Sequence, residues 1–442
     1  MGVNLTKGNI MKGLLLFALP IYIGQLFSML YGVIDTRIVG SVLGEASLAS
    51  VSATSSLSEL IIEFENGISC GFGIILAQFV GARDIGKIKR TIAISGVMIT
   101  ICSAIISILC IVFICPILTF MNVEEAIQDD AKTYIVIILV GMVFLAIYNF
   151  LVAVLRSVGD SLTPLVFLII SNVLNIILDI VFVKYLGMEI KGAALATVVT
   201  QVIGFISCAV YYFVCKKEIV FNWSDFVFER ERIILLIKNG LSMGCMLSFV
   251  LLGSLALQTA INKLGTELIV AHTAARRITI LCLIPFFSIG AALSTYCGQN
   301  KGAKEYERIA KGVRDSILIA TAWCVVLVGT IYIFASKMIT AITASESEVI
   351  LENAILYLKV NSVLFILPAL ICILRNSLQG MGDTKTPLIS SLIELVGKVI
   401  IAYTLVASMG YMGVIVAEPI VWTFMVIPLI VMWKKKHIND KK

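Results

Sequence analysis

Ser171 to Val183, SNVLNIILDIVFV, is an otherwise apolar run that carries Asn172, Asn175 and Asp179. Asn175 and Asp179 are four residues apart, so on a helix they stack on one face a single turn from each other, with Val, Leu and Ile covering most of the rest. An ionised carboxylate at mid-bilayer costs roughly 2.5–3.5 kcal/mol on insertion scales, less if it faces a polar cavity or takes up a proton or cation. Asp179 is therefore a candidate for function. The alternative is a buried, hydrogen-bonded acid that ties helices together. A second apolar stretch carries Glu59, Glu63 and Glu65. Glu59 lies 15 residues beyond Gly44, about 22 Å at helical rise and near mid-membrane. Glu59 and Glu63 share a face and are expected to line a cavity and attract cationic substrate, against pairing with a base such as Arg37 or Lys359.

These groups need a membrane scaffold, and the composition supplies one. A mean hydropathy of +1.02, with 59% apolar and 14% charged residues, excludes an ordinary soluble domain. The first apolar segment, 14–39, is too long for a signal-peptide core and no small-residue cleavage site follows it, so it reads as a retained span. The eleven cysteines fall almost all within apolar runs without paired spacing, which points to small core residues in a reducing setting. Only two histidines are present, His272 and His437, so histidine-based metal or triad chemistry is not expected. No Gly-x-x-x-x-Gly-Lys-Ser/Thr loop is present to drive the protein with ATP, and no metal motif or activated Ser or Cys marks a membrane enzyme.

Cutting the sequence where charge and turn residues cluster gives twelve apolar segments, each long enough to cross about 30 Å as a helix. Lys and Arg concentrate in the terminal tails and even-numbered loops, roughly two dozen against about five in the odd-numbered loops. Both termini are expected to be cytoplasmic, in a multi-pass protein of the cell inner (plasma) membrane. The net charge of +6 then reflects solvated loops beside anionic lipid, with no nucleic acid as partner.

The chain is also duplicated. AQFVGARDIGKIKR after span two is echoed by CGQNKGAKEYERIAK after span eight, with Gln78 and Gln299, Gly81 and Gly302, and Arg90 and Lys311 each 221 apart. RSVGDSLTP after span four is echoed by LQGMGDTKTP after span ten, with Asp160 and Asp383 223 apart, as are Pro164 and Pro387. Gly44 and Gly265 repeat at 221 in the loops after spans one and seven. The expected fold is all-α, twelve transmembrane helices in two six-helix bundles related by a pseudo-twofold axis along the membrane normal, as in transporters that alternate access between bundles. The expected divisions are 1–215 for the first bundle, 216–233 for a cytoplasmic linker, 234–433 for the second bundle and 434–442 for a basic tail.

With Val33 to Gly44 (VIDTRIVGSVLG), the Gln-x-x-Gly-Ala loop and the Gly-Asp-x-x-x-Pro turn in both halves, the whole chain resembles the multidrug and toxic compound extrusion (MATE) family of efflux transporters. It is most similar to the prokaryotic, DNA-damage-inducible type. In that branch the amino-terminal half carries a polar cluster for the coupling cation. The resemblance places it here at Tyr31 and Asp35 in span one, Asn149 in span four, Asn175 and Asp179 in span five, and Thr197 in span six. Pro20 matches a proline at which span one bends. The resemblance implies a secondary active antiporter, exporting amphiphilic, often cationic drugs or toxic organic compounds in exchange for inward H+ or Na+. It would need no cofactor, work as a monomer, and hold Na+ through Asp35 and Asp179 where that is the coupling ion.

The residue chemistry is compatible with this. Two carboxylates with amide, hydroxyl and phenol oxygens offer hard ligands, and their mutual repulsion makes one proton shareable. Pro20 removes a hydrogen bond from span one, giving that helix a place to flex. Each member has a bland alternative. Asp35 could be a helix-end charge beside Arg37, and Asn149, Asn175 and Thr197 could be polar glue between helices. Other branches of the family place cation-binding acids in spans seven and ten, which this chain lacks. Glu394 and Lys398, four apart in span eleven, read as a self-neutralised pair. Glu418, just before Pro419, reads as facing a cavity, and His272, Arg276 and Arg277 as snorkelling or paired. A lipid-linked oligosaccharide or peptidoglycan-precursor flippase is the alternative function, but it would need a basic cavity for a pyrophosphate, and the amino half is acidic.

Overall fold

In the computed structural model of the chain, residues 3–343 and 347–439 are described, apart from the side chains at 35, 36, 38, 39, 41–43, 45, 46 and 437–439. Every regular element among them is helical. Hydrocarbon offers a backbone no hydrogen-bond partners, so runs this apolar must close their own bonds. Among the described residues, eleven helices are long and apolar enough to cross a membrane: span one Ile10–Ile34, two Ser47–Gly81, three Ile85–Val112, four Glu125–Ser157, five Leu162–Tyr185, six Glu189–Cys215, seven Arg230–Ile261, eight Thr266–Gly302, nine Tyr306–Thr343, eleven Lys385–Met409 and twelve Tyr411–Lys436. Span ten is a pair, Glu348–Val363 and Ile366–Gly380, bent by 52°. Pro368, in the first turn of its second half, cannot donate to the Leu364 carbonyl, which accounts for the break.

The chain divides into two compact units, residues 1–3 with 19–244, and 4–18 with 245–442. The division of span one falls between Ala18 and Leu19, beside the buried Pro20 within that helix.

The duplication recurs in the backbone of each unit. Gly44 and Gly265 both have positive φ, 83° and 101°. Gly159 and Gly382 do as well, and even the non-glycine pair Arg83 and Lys304 adopts φ of 56° and 61°. The Gly-Asp turns are built alike. Asp160 Oδ1 accepts the Thr163 N–H at 3.1 Å, and Asp383 Oδ1 accepts the Thr386 N–H at 3.1 Å. A lysine at the end of the sixth span of each half then reaches the acid, Lys216 to Asp160 at 2.8 Å and Lys436 to Asp383 at 3.7 Å.

Two apolar clusters of the first unit pack span two against spans three and four. One gathers Ile68, Phe72, Ile75 and Leu76 of span two with Ile92 and Ile99 of span three and Ala146 and Phe150 of span four. The other gathers Ile61 of span two with Ile135, Leu139 and Met142 of span four and Ile106 of span three. Span three is apolar on its outer face, where Ile101, Ile105, Ile108 and Val112 are exposed, and carries buried hydroxyls inside at Thr91, Ser95, Ser103 and Ser107. That pattern suits a helix whose outer side meets lipid. Span two also crosses the start of span seven through paired glycines. A Cβ on Gly67 would come within 2.6 Å of Gly244 Cα, and one on Gly71 within 2.6 Å of the Asn239 carbonyl oxygen. Gly67-x-x-x-Gly71 and Gly240-x-x-x-Gly244 thus lay backbone on backbone, the close approach by which small residues favour helix association in lipid.

Candidate functional site

Span five changes helical type at the acid the sequence singled out. Its α-helix ends at Asp179, and Ile180–Tyr185 follows as π-helix, with the Leu186 N–H donating to the Val181 carbonyl at 2.9 Å. A π segment of this kind turns the side chains that follow it relative to the regular helix and recurs at functional sites. Asp179 is 1% exposed and Asn175, one turn before it, 3%.

Three helices meet at Asn175. The Tyr31 hydroxyl of span one donates to Asn175 Oδ1. The amide group of the same side chain, Nδ2, donates to Thr200 Oγ1 of span six at 3.3 Å. Thr200 in turn donates to the carbonyls of Ala196 (2.7 Å) and Thr197 (2.8 Å). The span-six hydroxyl that reaches this group is thus Thr200, whereas the hydroxyl of Thr197 donates to Ala193 O at 3.1 Å on its own helix. Asn149 is half-buried in span four and, among the described residues, makes no hydrogen bond to these groups. The side chain of Asp35 lies outside the described residues. Tyr31, Asn175 and Thr200 are thus linked by hydrogen bonds, with the buried Asp179 one turn further along span five; phenol, amide, hydroxyl and carboxylate are groups whose oxygens can hold a proton or a small cation.

The acids of span two separate. Glu59 is exposed, Glu63 half-buried and Glu65 buried. Among the described residues neither Glu59 nor Glu63 forms an ion pair, and Lys359 instead lies over the Tyr332 ring at 5.6 Å. At the turn after span four, burial works to raise Asp160, but the Lys216 ammonium and the Thr163 N–H outweigh it and hold its carboxyl below the ordinary range.

The second unit buries a charge cluster of its own. Glu418 Oε1 of span twelve accepts Arg276 Nη1 of span eight at 3.0 Å and lies 3.3 Å from Lys398 Nζ of span eleven. Lys398 also donates to Glu394 Oε1 at 2.8 Å and to Ser254 Oγ of span seven at 3.2 Å. The expected Glu394 and Lys398 pair is therefore present. Glu418 departs from the cavity-facing role the sequence suggested: at 4% exposed it is the acceptor between two cations. His272 is buried edge-on against Tyr357 and Tyr411, with ring centroids 5.2 and 6.2 Å away. Arg277, beside it in sequence, is exposed.

Comparison with known proteins places this architecture. A probable multidrug resistance protein of Bacillus subtilis, YpnP, is 28% identical over 306 residues, 69% of this chain and 68% of that protein. A second from the same organism, YoeA, is 24% identical over 98% of this chain and 96% of its own length. Among solved structures, the outward-facing conformation of a multidrug resistance MATE family transporter of the MOP superfamily matches with a TM-score of 0.91 at 25% identity, covering 100% of this chain and 99% of the other. The fold is accordingly that of twelve membrane helices in two bundles, in a transporter and not an enzyme. One family model, MatE, matches residues 20–181 and again 243–404, and with both halves matched the chain belongs to the MatE family.

Proposed function

We propose that this protein is a secondary active antiporter of the plasma membrane, exporting amphiphilic, often cationic organic compounds in exchange for H+ or Na+ moving inward. The observation that carries the reading is the junction of spans one, five and six at Tyr31, Asn175 and Thr200, one helical turn from the buried Asp179. The multidrug resistance relatives support the choice of cargo. In this reading both termini are cytoplasmic, a single chain suffices, and no cofactor takes part.

The cation enters from outside and neutralises Asp179 together with Asp35, which serve as the carboxylate ligands where the ion is Na+. Span one carries Tyr31 at one end and Pro20 near its middle. Loss of charge at Asp179 alters the Tyr31 and Asn175 bond, and span one repacks about Pro20, where it lacks one backbone hydrogen bond. Repacking weakens the hold on cargo, which leaves outward. Glu59 and Glu63 serve as the anionic attraction for cationic cargo. Linkage then requires cation and cargo each to lower the other's affinity by the same factor.

The test is efflux of a cationic dye from proteoliposomes under an imposed pH gradient and, separately, an imposed Na+ gradient. Efflux under at least one gradient without ATP is expected. Dye movement indifferent to both would overturn the antiport reading.

A further inference from the structure

The first unit contains a second buried acid that the coupling group does not use. Glu65 sits in the middle of span two and is 1% exposed. Counted from the turn at residues 82–84, it lies about 26 Å along span two, and Ser103 lies about 28 Å along the antiparallel span three. The two levels match, so the buried Ser103 hydroxyl, itself without a hydrogen-bond partner of ordinary length, stands at the height of the carboxyl on the neighbouring helix. Neither carboxyl oxygen has a hydrogen-bond partner of ordinary length among the described residues, and no lysine, arginine or histidine is paired with it there.

The surroundings are apolar or weakly polar on every element packed at this level. On its own helix Ile61 and Ile68 stand one turn to either side, each in a different apolar cluster. Span three contributes Cys102 and Ser103, with Cys110 about 10 Å further along it, and span four contributes Met142 and Ala146. The titratable neighbours are therefore two thiols, while Glu63, two residues earlier, is turned about 200° away around the helix and bonds Asn66. The buried hydroxyls of Ser69 and Ser107 extend the polar strip one turn along each helix.

A carboxylate left ionised here would have no counter-charge and one hydroxyl for company, an arrangement a protein interior strongly disfavours. One carboxyl and one serine also supply too few oxygens to replace the shell of a hydrated metal cation. We infer that Glu65 is a proton-binding site of the first bundle, carried on different helices from Asp179, with its acid O–H directed at Ser103 Oγ. Proton occupancy there governs the packing of span two on span three, because ionisation would place a charge at the seam between the two apolar clusters. The site rests on the surroundings of Glu65 and stands or falls apart from the antiport reading.

Infrared difference spectroscopy on the full-length protein in nanodiscs tests it, using the C=O stretch of a protonated carboxyl at pH 7. A band present in the wild type and in Asp179→Asn, lost in Glu65→Gln and shifted in Ser103→Ala is the expected result. Because Gln has the shape of the neutral acid, Glu65→Gln is expected to fold. Should it not, the shift in Ser103→Ala decides alone. A spectrum unchanged by both substitutions would show Glu65 to be ionised and overturn the assignment. So would loss of the band on adding Na+ at constant pH, which would make the occupant a metal ion.

Discussion

Glu418→Gln is the substitution whose effect the structure sets most directly. Within the second unit the cluster balances two cations, Arg276 and Lys398, against two carboxylates, Glu394 and Glu418. Lys398 and Glu418 are 1% and 4% exposed, so water cannot make good a missing charge. The amide leaves two cations to share Glu394 and offers Arg276 a neutral oxygen where it now bonds a carboxylate at 3.0 Å. Breaking a buried pair from one side costs about 3–5 kcal/mol, a shift of about 10²–10⁴-fold in the unfolding equilibrium. Adding Arg276→Gln restores neutrality and leaves the 2.8 Å Lys398 and Glu394 bond in place, so the double variant is expected to recover at least half of the loss. Denaturant unfolding in detergent, followed by tryptophan fluorescence, reads both numbers. A single variant within about 1 kcal/mol of wild type, or a double variant less stable than the single, would refute the view that charge balance holds these helices together.

Thr200→Val removes the acceptor of Asn175 Nδ2 and is expected to cost about 1 kcal/mol of stability and to slow gradient-driven dye efflux more than Thr197→Val, whose hydroxyl bonds within its own helix. Gly71→Ala puts a methyl within 2.6 Å of the Asn239 carbonyl and is expected to lose about 1–3 kcal/mol in the same unfolding assay. Gly13→Ala, with open space around it, is expected to be neutral or up to about 1 kcal/mol stabilising. The carboxyl of Asp160 is lowered in the folded state, so its contribution is full above the unfolded value of about 4 and fades as pH falls through the lower folded one. Asp160→Asn should therefore remove stability at neutral pH and flatten the acid limb of a stability profile, and an acid limb identical to wild type would contradict the Lys216 pairing.

What the sequence carried well was whatever depends on local spacing. Twelve spans follow from hydropathy, the Gly-Asp turns from their repeat at 223 residues, and the Glu394 and Lys398 bond from a separation of one helical turn. Groups whose partners come from another helix were less legible. Glu418 looks solitary in sequence because Arg276 is 142 positions away, and only packing joins them. Thr200 and Thr197 sit nearly one turn apart on span six, and which of them meets Asn175 depends on the rotation of that helix against span five. Glu65 could have been read more sharply. Two residues are about 200° on a helix, so the face shared by Glu59 and Glu63 necessarily leaves Glu65 on the opposite one. The π segment after Asp179 had no signal in residue type, since Ile180–Tyr185 is as apolar as the α-helix before it.

The central claim is that Asp179 takes up the ion that drives export, and Asp179→Asn in proteoliposomes tests it most directly. The variant fixes the side chain in the shape of the neutral acid, beside a Tyr31, Asn175 and Thr200 set left intact. A folded protein that still binds dye is expected, with binding no longer weakened by lowering the pH or adding Na+, and with gradient-driven efflux abolished. Efflux at the wild-type rate, with dye affinity still falling as the cation is added, would contradict it.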